Sequence, residues 1–138
     1  MPHKDYSGTP LWKKLGIREG SRVYLAGAPE GLSLGKDLPP AVHVLSRAGK
    51  DLDVVILFST SGAEIERRFM SLAKALDPAG RLWIAWPKRA RKVPTDVTFA
   101  LAQGIGLDAG LVDNKSASIT DVFQGLQFVY RLQDRPGR

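Results

Sequence analysis

Runs of apolar residues in this chain predict four strands before its last third. Residues 53–58 are almost entirely aliphatic or aromatic, which is typical of a strand covered on both faces. Residues 22–26 predict an earlier strand and residues 41–45 a short, weaker one. Residues 81–86 predict a fourth strand whose alternating side chains face opposite sides of the sheet. One face carries Leu82, Ile84 and Trp86, and the other carries Trp83 and Ala85.

The clearest helical pattern spans residues 61–76. Ser61 and Glu64 have the spacing of a capping box, and Glu64 with Arg68 has the spacing of an ion pair on the exposed side. An apolar stripe at helical spacing predicts one buried face. It consists of Ile65, Phe69, Leu72, Ala73 and Leu76. Residues 77–80 then have the composition of a turn.

Weaker signals predict the remaining elements. Thr9 and Gly16 bracket a helix of under two turns, with Thr9 as its N-cap. Thr95 caps a second helix over residues 96–105, and Gly104 and Gly106 end it.

The last third of the chain predicts two paired strands. These span residues 115–120 and 126–132 and join near Gln124 and Gly125. Strands that alternate with helices pair in parallel through right-handed crossovers, whereas a terminal hairpin puts an antiparallel strand in the sheet. The sequence therefore predicts a three-layer, Rossmann-like α/β fold, with a mostly parallel sheet and a C-terminal antiparallel hairpin. We expect a single domain over residues 1–138, with residues 1–8 and 133–138 as flexible ends.

Composition restricts the chemistry. The chain has no cysteine, and its two histidines, His3 and His43, have no nearby ligand set, so we expect no metal site.

We expect a cytoplasmic protein that does not bind membranes, because the chain has no apolar run long enough to span a bilayer and no apolar leader at its start. A net charge of +6 and a pI near 9.8 fit an anionic ligand, a nucleic acid or an acidic protein as partner, or a solvated basic surface.

Three loops should meet at the edge where the parallel strands end, which is where α/β domains bind ligands. The first loop offers Gly27, Ala28 and Gly31, and the second offers Ser59 and Thr60 at the start of a helix. The third contains the densest basic cluster of the chain. Its basic residues are Lys88, Arg89, Arg91 and Lys92. These nine residues are the candidate ligand-binding set. Each loop also has a purely structural explanation: the first forms a turn, the second shapes a turn before a helix cap, and the third is a solvated charged loop.

The predicted order of elements resembles a class I S-adenosylmethionine-dependent methyltransferase domain with a shortened middle. The resemblance lies in residues 15–23, which are similar to the lead-in to that family's first strand, and in residues 76–84, which are similar to a later helix end and strand. The chain is also similar, over nearly its whole length, to a family of small uncharacterised bacterial proteins. The shared segments there are residues 7–11, 28–31 and 85–88.

The methyltransferase resemblance implies cofactor-binding residues that this chain replaces. Leu25 stands where the family has an acidic residue, Pro29 stands at the central glycine of the loop, and residues 45–47 contain no acid for the ribose hydroxyls. Gly27 and Gly31 keep the outer glycines. These replacements predict that the chain has no cofactor and no catalytic residue. Together with the net charge and the basic loop of residues 88–92, they predict a non-catalytic domain that binds an anionic ligand or partner. The alternatives are a divergent S-adenosylmethionine-binding methyltransferase and a structural subunit that packs on another protein.

Overall fold

The computed structural model describes residues 8–135, which form one six-stranded sheet flanked by three α-helices. The helices are α1 (Leu11–Leu15), α2 (Gly62–Ala75) and α3 (Phe99–Asp108). The strands are β1 (Arg22–Ala26), β2 (His43–Leu45), β3 (Leu52–Phe58), β4 (Leu76–Pro87), β5 (Leu111–Ser118) and β6 (Phe123–Tyr130). The sheet order is β2-β1-β3-β4-β6-β5.

Within residues 8–135, five strands run in the same direction and β6 runs against them. β1 pairs in parallel with β2 and β3, and β3 pairs in parallel with β4. β6 lies antiparallel between β4 and β5. This confirms the predicted Rossmann-like α/β class with its antiparallel C-terminal hairpin.

The two faces of the sheet are covered unequally. α2 and α3 pack on one face over a large core that includes Leu57, Phe69 and Phe128. The other face is covered by α1 and by the long loop after β1, through residues such as Leu15 and Leu34. The connections β1–β2 and β2–β3 contain no helix, and only residues 46–51 separate β2 from β3.

The central strands follow the predicted pattern closely. β1 has the predicted bounds, and β3 begins one residue earlier than predicted. Trp86 faces the α2 and α3 side and is 3% exposed, whereas Trp83 faces the α1 side and is fully buried. β2 is shorter than predicted and begins at His43, after Ala41 adopts a left-handed conformation with φ +61°.

Helix α2 confirms the Ser61 cap but not the ion pair. The Glu64 backbone N–H donates to Ser61 Oγ at 3.2 Å. The Glu64 carboxylate, however, accepts from Ser59 Oγ, and Arg68 reaches the Tyr24 hydroxyl at 3.5 Å. The predicted Glu64–Arg68 pair is therefore wrong, because each side chain finds a partner on another element.

Residues 77–80 form the start of β4 and not the predicted turn. Leu76 already pairs with Leu52 of β3, before the register shifts at a bulge. Gly80 allows this approach, because a Cβ there would lie 2.7 Å from the Leu52 carbonyl oxygen.

Helix α3 begins and ends three residues later than predicted. Its N-cap is Thr98, whose Oγ1 accepts from the Leu101 backbone N–H at 3.1 Å. Gly104 and Gly106 lie inside the helix and do not end it. Gly106 is there because the Phe128 ring packs directly on it, so that a Cβ would lie 2.0 Å from Phe128 Cε2.

The C-terminal hairpin turns at residues 119–122, and Gln124 and Gly125 lie within β6 rather than at the turn. Gly125 provides space in the sheet and not a bend, since a Cβ there would lie 2.8 Å from Ile119 Cγ1 and 3.0 Å from Trp83 Cε3.

The N-terminal helix α1 begins one residue later than predicted, and parts of both predicted flexible ends are not described. At α1, Pro10 rather than Thr9 occupies the N-cap, and Gly16 closes the helix with φ +86°. Residues 1–7 and 136–138 of the predicted flexible ends lie outside the described residues, while Leu132–Asp134 forms a 3₁₀ turn. The single-domain assignment stays a prediction. Within residues 8–135, no helix combines the length and apolarity that a bilayer crossing would need.

Candidate functional site at the carboxyl edge of the sheet

The three predicted loops meet at one edge of the sheet. Ala26 is level with Leu57, and Leu57 is level with Ile84, so the loops that follow β1, β3 and β4 leave from the same border. The Ser59 backbone N–H donates to the Ala85 carbonyl at 3.0 Å. A Cβ on Gly27 would lie 2.7 Å from the Phe58 carbonyl oxygen, so only glycine allows this closeness of the two loops.

The loop after β1 is held against α1 and borders an open cavity. Trp12 donates its backbone N–H to Leu34 and its indole N–H to Lys36, each to a carbonyl oxygen. We call the resulting space, of about 470 Å³, the loop cavity; it is lined by Leu11 and by residues 29–33 and 119–123. Gly31 lines it with φ +79° and open space where a Cβ would stand. Ala28 packs against the core on the α1 side.

Ser59 and Thr60 are engaged by the protein itself. The Ser59 hydroxyl accepts from the Ser61 N–H at 3.0 Å and donates to Glu64. The Thr60 carbonyl accepts from the Thr95 hydroxyl at 2.7 Å. The backbone N–H of Gly62, at the start of α2, has no acceptor within the helix and donates to Asp96 Oδ1 at 2.8 Å. This helix start, predicted as an anion site, is already filled by a carboxylate of the chain.

The basic loop after β4 points mostly toward the β5–β6 turn. Lys88 Nζ donates to Ser118 Oγ at 2.7 Å. Arg91 forms an ion pair with Asp121, and the two side chains are 47% and 79% exposed. Lys92 is exposed and ends the 3₁₀ turn Arg89–Arg91 with φ +56°. Of the four predicted basic residues, Lys88 and Arg89 are the two that line cavities here.

Those cavities adjoin each other on the α3 side of the edge. They measure about 510 and 520 Å³, and we call them together the edge groove. The residues common to both are Trp86, Lys88, Arg89, Phe99 and Gln124. The sequence analysis missed Phe99, Gln124 and the Ser116–Ser118 wall. Only the correct hairpin register, which brings Gln124 beside Trp86, could have indicated them.

The edge groove and the loop cavity are neighbours. Lys88, which lines the groove, donates its backbone N–H to the carbonyl of Val122, which lines the loop cavity, at 2.7 Å. The loop cavity lies on the α1 side of the sheet and the edge groove on the α3 side, so the hydrogen-bonded ends of β4 and β6 lie between them.

A further cavity of about 470 Å³ lies at the opposite, amino edge of the sheet and has a structural explanation. Burial, and then the nearby positive charge of Arg18, lower the pKa of the Arg81 guanidinium. Arg81 Nη1 donates to the Gly16 carbonyl at 3.1 Å. Arg81 therefore satisfies a carbonyl at the end of α1, which fixes that helix on the sheet.

Metal ligands are sparse in the described part of the chain. Residues 8–135 contain no group of three or more histidine, aspartate or glutamate side chains placed to hold a metal ion. His43 is exposed on the edge strand β2, and His3 lies outside the described residues.

Solved structures show where else this fold occurs, although no family model and no curated protein matches the sequence. A SAM-dependent methyltransferase from Aquifex aeolicus shares it with a TM-score of 0.60 and 18% identity, over 86% of each chain. Magnesium protoporphyrin IX methyltransferase from Synechocystis PCC 6803, solved with bound SAM, gives 0.59 and 12%, over 88% of this chain and 74% of that one. An O-methyltransferase of neocarzinostatin biosynthesis, in complex with SAM, gives 0.60 and 12%, over 94% of this chain and 53% of that one.

These likenesses correct three expectations from the sequence. The net charge and the basic loop of residues 88–92 predicted a non-catalytic anion-binding domain, and residues 25, 29 and 45–47 predicted against enzymatic activity and a bound cofactor. These three solved structures are methyltransferases, and two of them were solved with SAM. The prediction failed because it gave substitutions at single binding positions more weight than the order of the whole sheet. The chain spans about half the length of the neocarzinostatin enzyme.

Proposed function

We propose that this protein binds S-adenosylmethionine at the carboxyl edge of the sheet and is a methyltransferase. The observation that supports this most strongly is the shared architecture with the Aquifex enzyme, which covers 86% of both chains. The order of the sheet, with β6 inserted antiparallel between β4 and β5, belongs to this architecture. The same edge in other α/β domains is where ligands bind.

The loop after β1 fits such a cofactor. Gly27 and Gly31 both have positive φ, and Gly31 leaves open space beside the loop cavity. The cavity volume of about 470 Å³ lies within the range of small-molecule sites. Glu30 lines it, and its carboxylate suits the positive charges of the sulfonium and the amino group.

The end of β2 does not fit the ribose. Leu45, Ser46 and Arg47 offer no carboxylate to accept from the two ribose hydroxyls. A hydrogen bond to a charged group contributes about 1.5–3 kcal/mol. We therefore expect SAM to bind roughly tenfold to a hundredfold more weakly than to a site that keeps this acid.

When bound, the cofactor supplies an electrophilic methyl group. The chain's own contribution is then to hold the cofactor against the β1 loop, to orient an acceptor beside it and to exclude water from between them. We also retain as proposals the cytoplasmic location, which the absence of cysteine supports, and the bacterial origin.

Calorimetric titration with SAM and with S-adenosylhomocysteine tests the proposal. A ligand of the native state also raises the melting temperature, so thermal shift gives an independent readout. We expect both compounds to bind. We expect Glu30→Gln to weaken SAM more than S-adenosylhomocysteine, because only SAM carries the sulfonium charge. Glu66→Gln, the same change on exposed α2, is the control.

Absence of heat and of thermal shift with both compounds at millimolar concentration would refute cofactor binding. Methyl transfer itself is tested by incubating the protein with SAM and small-molecule acceptors and following the release of S-adenosylhomocysteine.

A further inference from the structure

We propose that basic side chains around the carboxyl end of β5 bind a single-stranded nucleic acid. We call this surface the basic corner, and it combines side chains from α1, from the loop after β4 and from β5 itself. They are Lys14, Lys88, Arg89, Lys92 and Lys115. The inference goes beyond the proposed function, because it does not depend on whether SAM binds.

Hydrogen bonds hold three ammonium groups of the basic corner close to one another. Lys14 Nζ donates to the Ser118 carbonyl at 3.2 Å, and Lys88 Nζ donates to the Ser118 hydroxyl at 2.7 Å. Lys115 Nζ donates to the Lys14 carbonyl at 3.0 Å. All three acceptors are uncharged oxygens, and each ammonium group has three donors. The three lysines are therefore held in place and keep donors for a ligand.

The basic corner has no carboxylate that offsets its charge. Within residues 8–135, the only ion pair joins Arg91 to Asp121. Arg89 and Lys92, on either side of Arg91, are exposed. The five side chains of the basic corner carry +5, whereas the whole chain has a formal net charge of +6. Positive charge is therefore concentrated at this corner, and phosphate groups are ligands that would neutralise it.

The width of the basic corner favours a polymer over a single small anion. Lys14 and Lys115 meet at α1, on one face of the sheet, whereas Lys88 and Arg89 line the edge groove on the other face. The end of β5, which is an edge strand, lies between these two pairs. One phosphate group cannot reach both pairs. A strand with one phosphate for each nucleotide can contact both where it crosses the end of β5.

An exposed aromatic ring favours unpaired bases. Phe99 lines the edge groove beside Lys88 and Arg89, and it is 48% exposed. Proteins that bind single strands combine a basic groove with aromatic side chains on which bases stack, whereas the bases of a duplex are already stacked on one another. An acidic protein segment would match the charges but not this ring. The combination therefore favours a single-stranded nucleic acid.

Fluorescence anisotropy with a labelled oligouridine of about 12 nucleotides tests this proposal, with an oligodeoxythymidine of the same length to compare the two sugars. The logarithm of the binding constant of a single strand falls by about 0.7 for each contacted phosphate per tenfold increase in salt. Contact with all five side chains predicts a slope of about −3.5, and hence a loss of roughly a hundredfold between about 50 and 200 mM salt. Binding of either oligonucleotide with such a slope supports the proposal.

Substitutions then locate the binding surface. Lys115→Gln and Lys92→Gln each remove one phosphate contact, so each should weaken binding about fivefold at about 100 mM salt and reduce the slope by about 0.7. Lys74→Gln is the control, because it removes the same charge at an exposed position where α2 ends, next to the start of β4 at the opposite edge. It should change neither the affinity nor the slope.

Phe99→Leu tests the stacking separately from the charge. It should weaken binding at least about fivefold and leave the slope unchanged, because stacking on a base adds no phosphate contact. Melting temperatures equal to that of the unmodified protein show that each variant is folded.

Absence of binding at about 50 mM salt, or an affinity that does not change with salt, would overturn the proposal. Equal weakening in Lys74→Gln and Lys115→Gln would also overturn it, because binding would then follow the net charge of the chain and not this surface. If polyglutamate of equal charge bound as tightly as the oligonucleotides, and Phe99→Leu had no effect, the basic corner would be assigned to an acidic protein instead.

Discussion

Two glycines of α3, two residues apart, should respond in opposite ways to the same substitution. A Cβ on Gly104 would meet nothing within 4 Å, whereas a Cβ on Gly106 would lie 2.0 Å from Phe128 Cε2. Phe128 is fully buried and packs edge to face on Phe69, with ring centroids 5.4 Å apart. To reach an ordinary contact of 3.4 Å, the ring would have to move about 1.4 Å, the difference between 3.4 and 2.0 Å.

Both substitutions gain the higher helix propensity of alanine, and Gly106→Ala alone also overpacks the core. Alanine is favoured over glycine inside a helix by about 1 kcal/mol. Overpacking a filled core costs roughly 1–3 kcal/mol, and the size of the required movement points to the upper end. We therefore expect Gly104→Ala to raise the free energy of unfolding by about 1 kcal/mol and Gly106→Ala to lower it by about 2 kcal/mol.

Chemical denaturation of the two variants measures this difference directly. In thermal unfolding, each kcal/mol corresponds to roughly 4 °C in a chain of this size. If both alanines changed stability by the same amount within about 0.5 kcal/mol, the close packing of α3 on β6 would be refuted.

Three further changes test other contacts. Burial raises the pKa of Tyr130 above its usual 10.0. The native state therefore holds this proton more tightly than the unfolded chain, and the free energy of unfolding should fall as pH rises past about 10. That fall should be smaller in Tyr130→Phe, measured by urea denaturation at pH 9 and 11. Asp96→Ala should lower the free energy of unfolding by about 1 kcal/mol, because Gly62 N–H at the start of α2 loses its acceptor, and Asp96→Asn should lose less than half of that. Asp121→Asn should change it by less than about 0.5 kcal/mol, since the pair with Arg91 is exposed; a larger loss would show that this pair holds the hairpin turn in place.

The central strands could be predicted because their own residues decide their burial. β1 and β3 carry apolar runs that no other element explains, and the alternation around Trp83 and Trp86 assigns the two faces of β4. Their parallel order then places the loops of Gly27, Ser59 and Lys88 at one edge without any knowledge of side-chain contacts.

The misplaced elements depended on contacts between distant parts of the chain. α3 is apolar on nearly all sides, with exposed Leu101 and Leu107 as well as buried Ile105, so its pattern does not fix its ends. The sequence pattern predicts breaks at Gly106 and Gly125, although each provides space for a side chain that lies far away in the sequence.

The candidate site was limited in the same way. Asp96 fills the start of α2 from a position 34 residues later, and Ser118 reaches Lys88 across 30 residues. Neither contact has a local signal in the sequence, because each depends on how the loops fold over the carboxyl edge. The edge groove therefore became visible only with the tertiary structure.

No helix connects β1 to β2 or β2 to β3, so the β2 edge of the sheet is poorly covered. β2 has three residues, and Val44 within it is 49% exposed, so this edge should open to solvent before the rest of the sheet does. Amide protons of β2 should consequently exchange fastest among the strands. A nucleoside that spans from the β1 loop to β2 would have to order the β2 edge of the sheet as it binds. Part of its binding free energy would be used for this ordering, and the amide protons of β2 would exchange more slowly in the complex.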